Sequence, residues 1–172
     1  MIEMAKKEDI EGIVKIYNSI LDKEEEGLLS IGWAKGVYPT EETARAALEN
    51  QELYVVKENR KIVAAAIINQ KQVAEYKDCN WQYECQDNEA LVLHTLVVDP
   101  KRSKNGYGKE FLLFYEALAK EKGLKYLRMD TNAKNIVARA FYKKSGYREA
   151  GIVDCVFNKI PGVKLVCIEK RI

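Results

Sequence analysis

The chain has 172 residues, of which 47% are apolar and 31% are charged. This composition excludes a disordered segment, a collagen-like repeat and a small disulfide scaffold, and the length fits one domain with its own core. The net charge of +2 hides a division. Residues 1–98 hold 11 basic and 18 acidic side chains, whereas residues 99–172 hold 17 basic and 8 acidic ones. The second, basic part is therefore where an anionic ligand is expected.

The N-terminus and the cysteines narrow the class of protein further. The N-terminus becomes charged within three residues, and no apolar run approaches the roughly 20 residues that span a bilayer, so we expect a cytoplasmic protein with no membrane partner. Since the chain has one histidine and no C-x-x-C, a metal site is not expected. We expect reduced thiols at the four cysteines, which are Cys79, Cys85, Cys155 and Cys167.

Apolar residues at helical spacing predict a first helix over about residues 7–25. They are Ile10, Ile13, Val14, Tyr17, Ile20 and Leu21. Residues 30–39 have the composition of a loop with aromatic side chains, and residues 41–48 return to helical periodicity. We expect a loop followed by a short helix.

Three β-rich runs follow. Leu53–Val56 and Ile62–Ile68 flank a polar turn at residues 58–60, which predicts an antiparallel hairpin. Ala90–Val98 shows little alternation and is typical of a central strand buried on both faces.

The rest of the chain alternates helix and strand. A stripe of apolar residues predicts a helix that starts near Gly108 and ends at Gly123, and residues 124–129 read as a strand. This order predicts a right-handed crossover with parallel pairing. A helix over residues 135–145 and two strands around Pro161–Gly162 follow. With no repeat or linker, one α/β domain on a mixed sheet is expected.

The segment between the central strand and its helix, residues 101–109, carries four basic side chains and two glycines. Gly106 and Gly108 let successive backbone N–H groups turn toward one point, and the helix N-terminus adds partial positive charge, which suits a polyphosphate. A Walker loop is excluded because Lys109 is followed by Glu110, and a dinucleotide fingerprint lacks its third glycine. By itself the pattern also fits a tight turn with solvated lysines, or a basic nucleic-acid-binding module.

The later helix carries a second pattern, Asn135-x-x-Ala138-x-x-x-Tyr142-x-x-x-Gly146-Tyr147. Together the two motifs resemble the GCN5-related N-acetyltransferase (GNAT) superfamily, strongly over residues 91–151 and more loosely over the hairpin and first helix. In that superfamily a strand ending V-x-P leads into [Q/R]-x-x-G-x-[G/A], whose backbone amides hold the pyrophosphate of acetyl-CoA. The resemblance implies a single N-acetyltransferase domain over residues 1–172. Its α/β fold would have a mixed, mostly antiparallel central sheet flanked by helices.

The resemblance also implies which residues bind the cosubstrate acetyl-CoA. These positions are Leu96, Val97, Val98, Ser103, Lys104, Asn105, Gly106, Tyr107, Gly108, Lys109, Asn135 and Tyr142. Ser103 departs from the family, which has Gln or Arg there, so a side-chain role at this position is in doubt. Asn135 also fits a helix cap, and the nearby basic residues Arg139, Lys143 and Lys144 are candidates for the 3′-phosphate.

Two residues are candidates for proton transfer. Tyr142 matches the family tyrosine that protonates the sulfur of coenzyme A, although it also fits an apolar core position beside Phe141. His94, the only histidine, lies four residues before Val98 and resembles a strand histidine that arylalkylamine acetyltransferases use as a base. It equally fits a buried histidine satisfied by hydrogen bonds. Glu84 and Glu89 are weaker candidates.

The implied reaction is transfer of an acetyl group to a primary amine of a small molecule or peptide, by direct attack on the thioester. Carboxylates with aromatic side chains suit a cationic acceptor. The residues expected on this side are Trp33, Tyr38, Trp81, Tyr83, Glu84, Asp87 and Glu89. Nucleic acid is not expected as a partner, a homodimer is left open, and the same motifs fit a catalytically silent protein that senses acetyl-CoA.

Overall fold

Seven strands form one sheet in the order β1-β2-β3-β4-β5-β7-β6. The computed structural model describes all 172 residues. The strands are β1 Ile2–Met4, β2 Leu53–Glu58, β3 Lys61–Asn69, β4 Ala90–Val98, β5 Tyr126–Asn132, β6 Arg148–Phe157 and β7 Ile160–Arg171. All neighbours pair antiparallel except β4 and β5, which are parallel. The predicted mixed, mostly antiparallel α/β sheet is confirmed.

Four helices flank the sheet, and short 3-10 turns lie between the elements. The helices are α1 Ile10–Glu25, α2 Glu41–Glu49, α3 Tyr107–Glu121 and α4 Ile136–Lys144. The 3-10 turns are Lys7–Asp9, Ala74–Asp78, Asp87–Glu89 and Pro100–Arg102. No helix is both long and apolar enough to cross a membrane.

Most predicted elements are found where the sequence placed them, and three differ. The sequence does not predict β1, because a strand of three residues is too short to show an alternation of apolar and polar side chains. β5 begins two residues late, since Leu124 donates its N–H to the Ala119 carbonyl and so closes the end of α3. The turn between the last two strands lies at Asn158 and Lys159, both with positive φ, and not at Pro161–Gly162, which lies within β7.

Alternation along β3 explains why this strand is apolar throughout. Ala64 and Ala66 face the core that α3 covers, whereas Ala65 and Ile67 face the core that α1 covers. Because successive side chains point to opposite faces, both faces of the strand are buried.

In its second half β4 separates from β5, and it bulges where it pairs with β3. Its pairing with β5 runs from Ala90 only to Leu93, and its pairing with β3 gains one extra residue between His94 and Val97. Thr95, at this bulge, has a φ of +49°. The prediction of a strand buried on both faces therefore holds for Ala90–Leu93 and is wrong for the rest, which borders an opening in the sheet.

A tyrosine lies below this opening. Tyr115 of α3 is fully buried, and its hydroxyl contacts the Leu91 carbonyl of β4 and the Arg128 carbonyl of β5, the latter at 3.0 Å. The two parallel strands are thus joined by one side chain two residues below the point where their pairing stops.

The expectation of four reduced thiols is wrong for two of them. Cys79 and Cys167 form a disulfide, while Cys85 and Cys155 are free. The 3-10 turn at Ala74–Asp78 brings Cys79 over β7, where Cys167 pairs with Asp130. The sequence separation of 88 between the two cysteines hides this proximity from spacing arguments.

A buried carboxylate fixes the segment that follows the disulfide. Glu169 of β7 is 1% exposed. It accepts the backbone N–H groups of Gln82 at 2.9 Å and Tyr83 at 3.2 Å, and it pairs with Arg148. Three donors around one carboxylate offset the cost of burying its charge.

We expect Glu169→Ala to lower the free energy of unfolding by about 2–3 kcal/mol, because it leaves two part-buried backbone donors unpaired and removes the partner of the half-exposed Arg148. Asp154→Ala is the matched control, since Asp154 pairs with Lys164 in an exposed ion pair that contributes at most about 1 kcal/mol. Urea denaturation measures both changes. Equal effects of the two substitutions would contradict the structural role of Glu169.

Candidate active site

A cavity of about 450 Å³ lies where β4 and β5 part. Residues 94–98 of β4 form one side and residues 130–132 of β5 form the other. α4 closes it at one end, and the segment between α1 and α2 together with the β6–β7 hairpin closes it at the other. The bulge at Thr95 thus produces the opening that the sheet would otherwise lack.

Half of the residues expected to contact acetyl-CoA line this cavity. They are Leu96, Val97, Val98, Ser103, Asn135 and Tyr142. The others lie outside the lining: Lys104, Asn105 and Gly106 form the turn after Ser103, and Tyr107, Gly108 and Lys109 begin α3. Tyr107 contributes its backbone only to this surface, because its side chain is buried in the core and its hydroxyl donates to Glu58.

The turn presents unpaired backbone donors. No N–H group from Ser103 through Lys109 donates a hydrogen bond within the protein. Gly106 has a φ of +90°, and a Cβ at Gly108 would lie 3.2 Å from the Phe141 ring, so a side chain would be strained at the first position and tight at the second. Free N–H groups at the start of a 15-residue helix fit the phosphate oxygens of a coenzyme.

Of the polar residues on and next to α4, some are already bonded within the protein and others are free to bind a ligand. Asn135 caps the helix, since its Oδ1 accepts the Ala138 N–H at 3.1 Å, and it also lines the cavity. Arg139 binds both carboxylate oxygens of Glu149, at 2.7 and 2.8 Å, so it is engaged elsewhere. Lys143 and Lys144 are exposed near the end of the helix and make no ion pair.

Tyr142 reaches the cavity from α4. The residue is 8% exposed, and its hydroxyl has no hydrogen-bond partner in the protein. Burial, and then the charge of Asp130, hold the pKa of the phenol well above its usual value. The phenol therefore keeps its proton in the free protein, and its hydroxyl donates to no other group of the protein.

His94 also lines the cavity, but its chemistry differs from that expected of a base. Its Nε2 donates to the Asn69 Oδ1 at 3.0 Å. Burial lowers the pKa of the imidazole to about 4. A ring that is neutral throughout the physiological range holds the end of β3 beside β4 and is a weak proton acceptor.

A carboxylate that the sequence analysis did not single out lines the cavity. Asp130, at the end of β5, is partly exposed to it and accepts one hydrogen bond, from the Tyr76 hydroxyl at 2.7 Å. Burial raises the pKa of this carboxyl to about 6, against the opposing effect of the Tyr76 hydrogen bond. The available signal was a single acid after the apolar run of a strand parallel to β4, because parallel strands end at the same edge of a sheet.

The expected acidic acceptor side is not found. Trp33 and Tyr38 line the cavity, but Glu84 and Asp87 border a separate surface depression around Arg128, and Glu89 lies in the 3-10 turn before β4. Trp81 and Tyr83 also lie outside the cavity. The Trp81 ring stacks on Arg128 at 4.1 Å, and Arg128 donates to the Tyr83 carbonyl. The three acidic side chains that the sequence suggested for the acceptor side therefore do not line the cavity.

The segment after α1 is held over the cavity by two contacts. Glu24 accepts the N–H groups of Ile31 and Gly32, each at 2.7 Å. The hydroxyls of Tyr38 and Thr95 share a hydrogen bond, which joins this segment to the bulge of β4. The wall opposite α4 is therefore fixed by the protein alone.

Comparison with known proteins agrees with this geometry. The sequence model of the Acetyltransferase (GNAT) family matches residues 15–147. A GNAT-family acetyltransferase from Streptococcus agalactiae superposes with a TM-score of 0.81 at 20% identity, covering 100% of this chain and 95% of that one. The Salmonella typhimurium protein yncA, solved with its cofactor acetyl-CoA, superposes with a TM-score of 0.71 at 16% identity, covering 99% and 92%.

One curated relative is an uncharacterized N-acetyltransferase of Methanocaldococcus jannaschii, 29% identical over 76 residues. That match covers 44% of this chain and 34% of the relative, so it spans about a third of the relative's length.

Proposed function

Because the chain belongs to the GNAT acetyltransferase family, we propose that it transfers the acetyl group of acetyl-CoA to a primary amine of a small molecule or peptide by direct attack on the thioester. The observation that carries this proposal is the cavity between β4 and β5, which the Asp130 carboxylate and the Tyr142 phenol both line, next to a turn of free N–H groups. Those are the groups that amine acetylation needs: an acceptor for the proton of the ammonium, a donor for the departing sulfur, and an anchor for the coenzyme.

The turn and β4 are the proposed binding elements for acetyl-CoA, which supplies the activated acetyl thioester. The N–H groups of Ser103–Lys109 bind the pyrophosphate. The backbone of Leu96–Val98 faces the cavity without a β5 partner, so it is free to bind the pantetheine arm and the acetyl carbonyl. The basic excess of residues 99–172 favours the anionic coenzyme.

Asp130 is proposed to bind the acceptor ammonium and to take its proton. At neutral pH a carboxyl with a pKa of about 6 is mostly ionised, and it is more basic than an ordinary aspartate. This assignment replaces His94, whose pKa of about 4 makes it the poorer base.

Tyr142 is proposed to hold a proton at its hydroxyl for the leaving sulfur. The phenol remains protonated because burial raises its pKa, and no group of the protein competes for its hydrogen. Asn135 contributes by fixing the start of the helix that carries the tyrosine.

We expect saturating acetyl-CoA to raise the melting temperature by about 5–10 °C, since 100 times Kd adds about 2.7 kcal/mol. Gly106→Ala should weaken acetyl-CoA binding about tenfold. Alanine is strained at a positive φ, and the backbone rotation that relieves this strain would turn the N–H groups away from the coenzyme. Gly162→Ala is the matched control, since Gly162 also has a positive φ and open space but lies on β7. Calorimetry measures both affinities.

Two outcomes would contradict the proposal. No thermal shift at millimolar acetyl-CoA would exclude coenzyme binding, and a steep salt-dependent affinity for RNA or DNA in its place would favour the nucleic-acid module. Binding without thiol release from any amine would identify a silent acetyl-CoA sensor.

A further inference from the structure

The charge inside the cavity is small. Among the side chains that line it, Asp130 is the only carboxylate and Lys23 is the only lysine or arginine, and burial keeps His94 neutral. Lys23 is partly exposed near the end of α1 and makes no ion pair. The cavity therefore offers one anionic group and one basic side chain.

The wall formed by the β6–β7 hairpin is mostly apolar. Trp33 stands beside it on the segment after α1, and the hairpin contributes Phe157, Ile160, Val163 and Leu165, with Asn158 as its one polar side chain. No carboxylate of the hairpin lines the cavity. A second ammonium placed against this wall would lose its water without meeting an anionic partner.

The size of the cavity admits a ring-sized acceptor. Its volume of about 450 Å³ is shared with the acetyl end of the coenzyme. A cavity of about 150 Å³ holds one benzene molecule, so a body of about one ring fits beside that end. The contacts of Glu24 and Tyr38 hold the wall in place without a ligand, so this space is present in the protein itself.

We propose that the acceptor is a primary monoamine with an apolar body about the size of one ring, whose ammonium pairs with Asp130 and whose body lies against the β6–β7 hairpin. This inference rests on the proposed acetyl transfer and narrows its substrate. Polyamines and aminoglycosides carry further ammonium groups that would meet the mostly apolar wall or Lys23, and a peptide would bring several backbone amides to a wall where Asn158 is the one polar side chain of the hairpin.

An isosteric pair of amines tests the charge argument directly. 4-Ethylbenzylamine and 4-(aminomethyl)benzylamine share the ring and the reactive group, and they differ in whether the far end is a methyl or an ammonium. We expect kcat/KM, followed as thiol release from acetyl-CoA, to be about ten- to a hundredfold higher for 4-ethylbenzylamine. Spermidine, kanamycin and a tripeptide with a free N-terminus complete the panel and should react more slowly still.

Phe157→Glu places a carboxylate on the apolar wall and should raise the diamine-to-monoamine ratio of kcat/KM at least about tenfold. Val156→Glu is the matched control, because Val156 is the neighbouring residue on the same strand, is 63% exposed and does not line the cavity. It should leave the ratio unchanged.

The outcomes separate this inference from the proposed function. Faster turnover of the diamine, spermidine, kanamycin or the tripeptide overturns the acceptor class and leaves acetyl transfer intact. A ratio that Phe157→Glu does not change more than Val156→Glu does also overturns it, because the body would then lie elsewhere. Normal acetyl-CoA binding with no thiol release from any member of the panel overturns both proposals.

Discussion

Asp130→Asn should lower kcat/KM for the amine acceptor by about 10²- to 10⁴-fold, the usual contribution of a positioned proton acceptor. Asparagine has the same shape and keeps an acceptor for the Tyr76 hydroxyl, but it neither carries charge nor takes a proton. Affinity for acetyl-CoA should change little, since Asp130 lies outside the turn of free N–H groups. Steady-state kinetics and calorimetry together measure this separation.

The pH dependence of the native protein follows from the same carboxyl. Because its pKa is raised to about 6, we expect kcat/KM to fall as the pH drops through about 6, and this limb should vanish in Asp130→Asn. Tyr76→Phe removes a hydrogen bond that lowers the pKa of Asp130, so it should move the limb to higher pH. An unchanged limb in both variants would assign the titration to another group.

Ionisation of Asp130 is expected to favour activity but to lower the stability of the folded protein. The folded protein holds the proton of Asp130 up to about pH 6, whereas the unfolded chain releases it near the ordinary aspartate value of 3.8. Between these values the folded state binds more protons, so stability falls as the pH rises. Asp130→Asn should remove this loss and melt no lower than the native protein at pH 7, which would separate lost activity from lost folding.

Tyr142→Phe should lower kcat by about a hundredfold while leaving the dissociation constant of acetyl-CoA within about twofold. The ring remains in the core and only the hydroxyl, which binds no protein group, is lost. Tyr147→Phe is the control, because that buried tyrosine packs against Tyr142 at 6.3 Å but directs its hydroxyl to Glu116. Stopped-flow kinetics in excess amine measures the step.

Equal losses of turnover and coenzyme affinity in Tyr142→Phe would make this tyrosine a binding residue. A loss of similar size in Tyr147→Phe would point to packing of α4 as the cause.

Local pattern predicted most of the fold because each element carries its own signal. The helical spacing from Ile10 to Leu21 and the β-rich run from Ala90 to Val98 need no distant partner to be recognised. The positions at the split strand were predicted through the resemblance to the GNAT superfamily, since the V-x-P ending and the two glycines that carry it are contiguous with the strand.

The remaining features depend on contacts between distant segments. Burial raises the pKa of Asp130, and the turn that brings Tyr76, 54 positions away, to its carboxylate supplies the hydrogen bond that opposes this rise. The Cys79–Cys167 disulfide depends on the same turn. Glu84 and Asp87 look like acceptor ligands in the sequence, yet the chain turns back after Cys79 and carries them to the other side of Arg128.

The contact that Tyr115 makes below the opening fixes the depth of the gap between β4 and β5. Because its hydroxyl joins β4 to β5 at Leu91 and Arg128, the gap between these strands has a fixed floor, and α3 supplies that floor from the opposite layer. A coenzyme arm that entered this gap from the turn at Ser103 would therefore reach only as far as Tyr115 allows. We expect the distance from the thioester to Asp130 to be decided by the packing of α3, so that the reacting atoms are aligned by the core of the protein before an acceptor arrives.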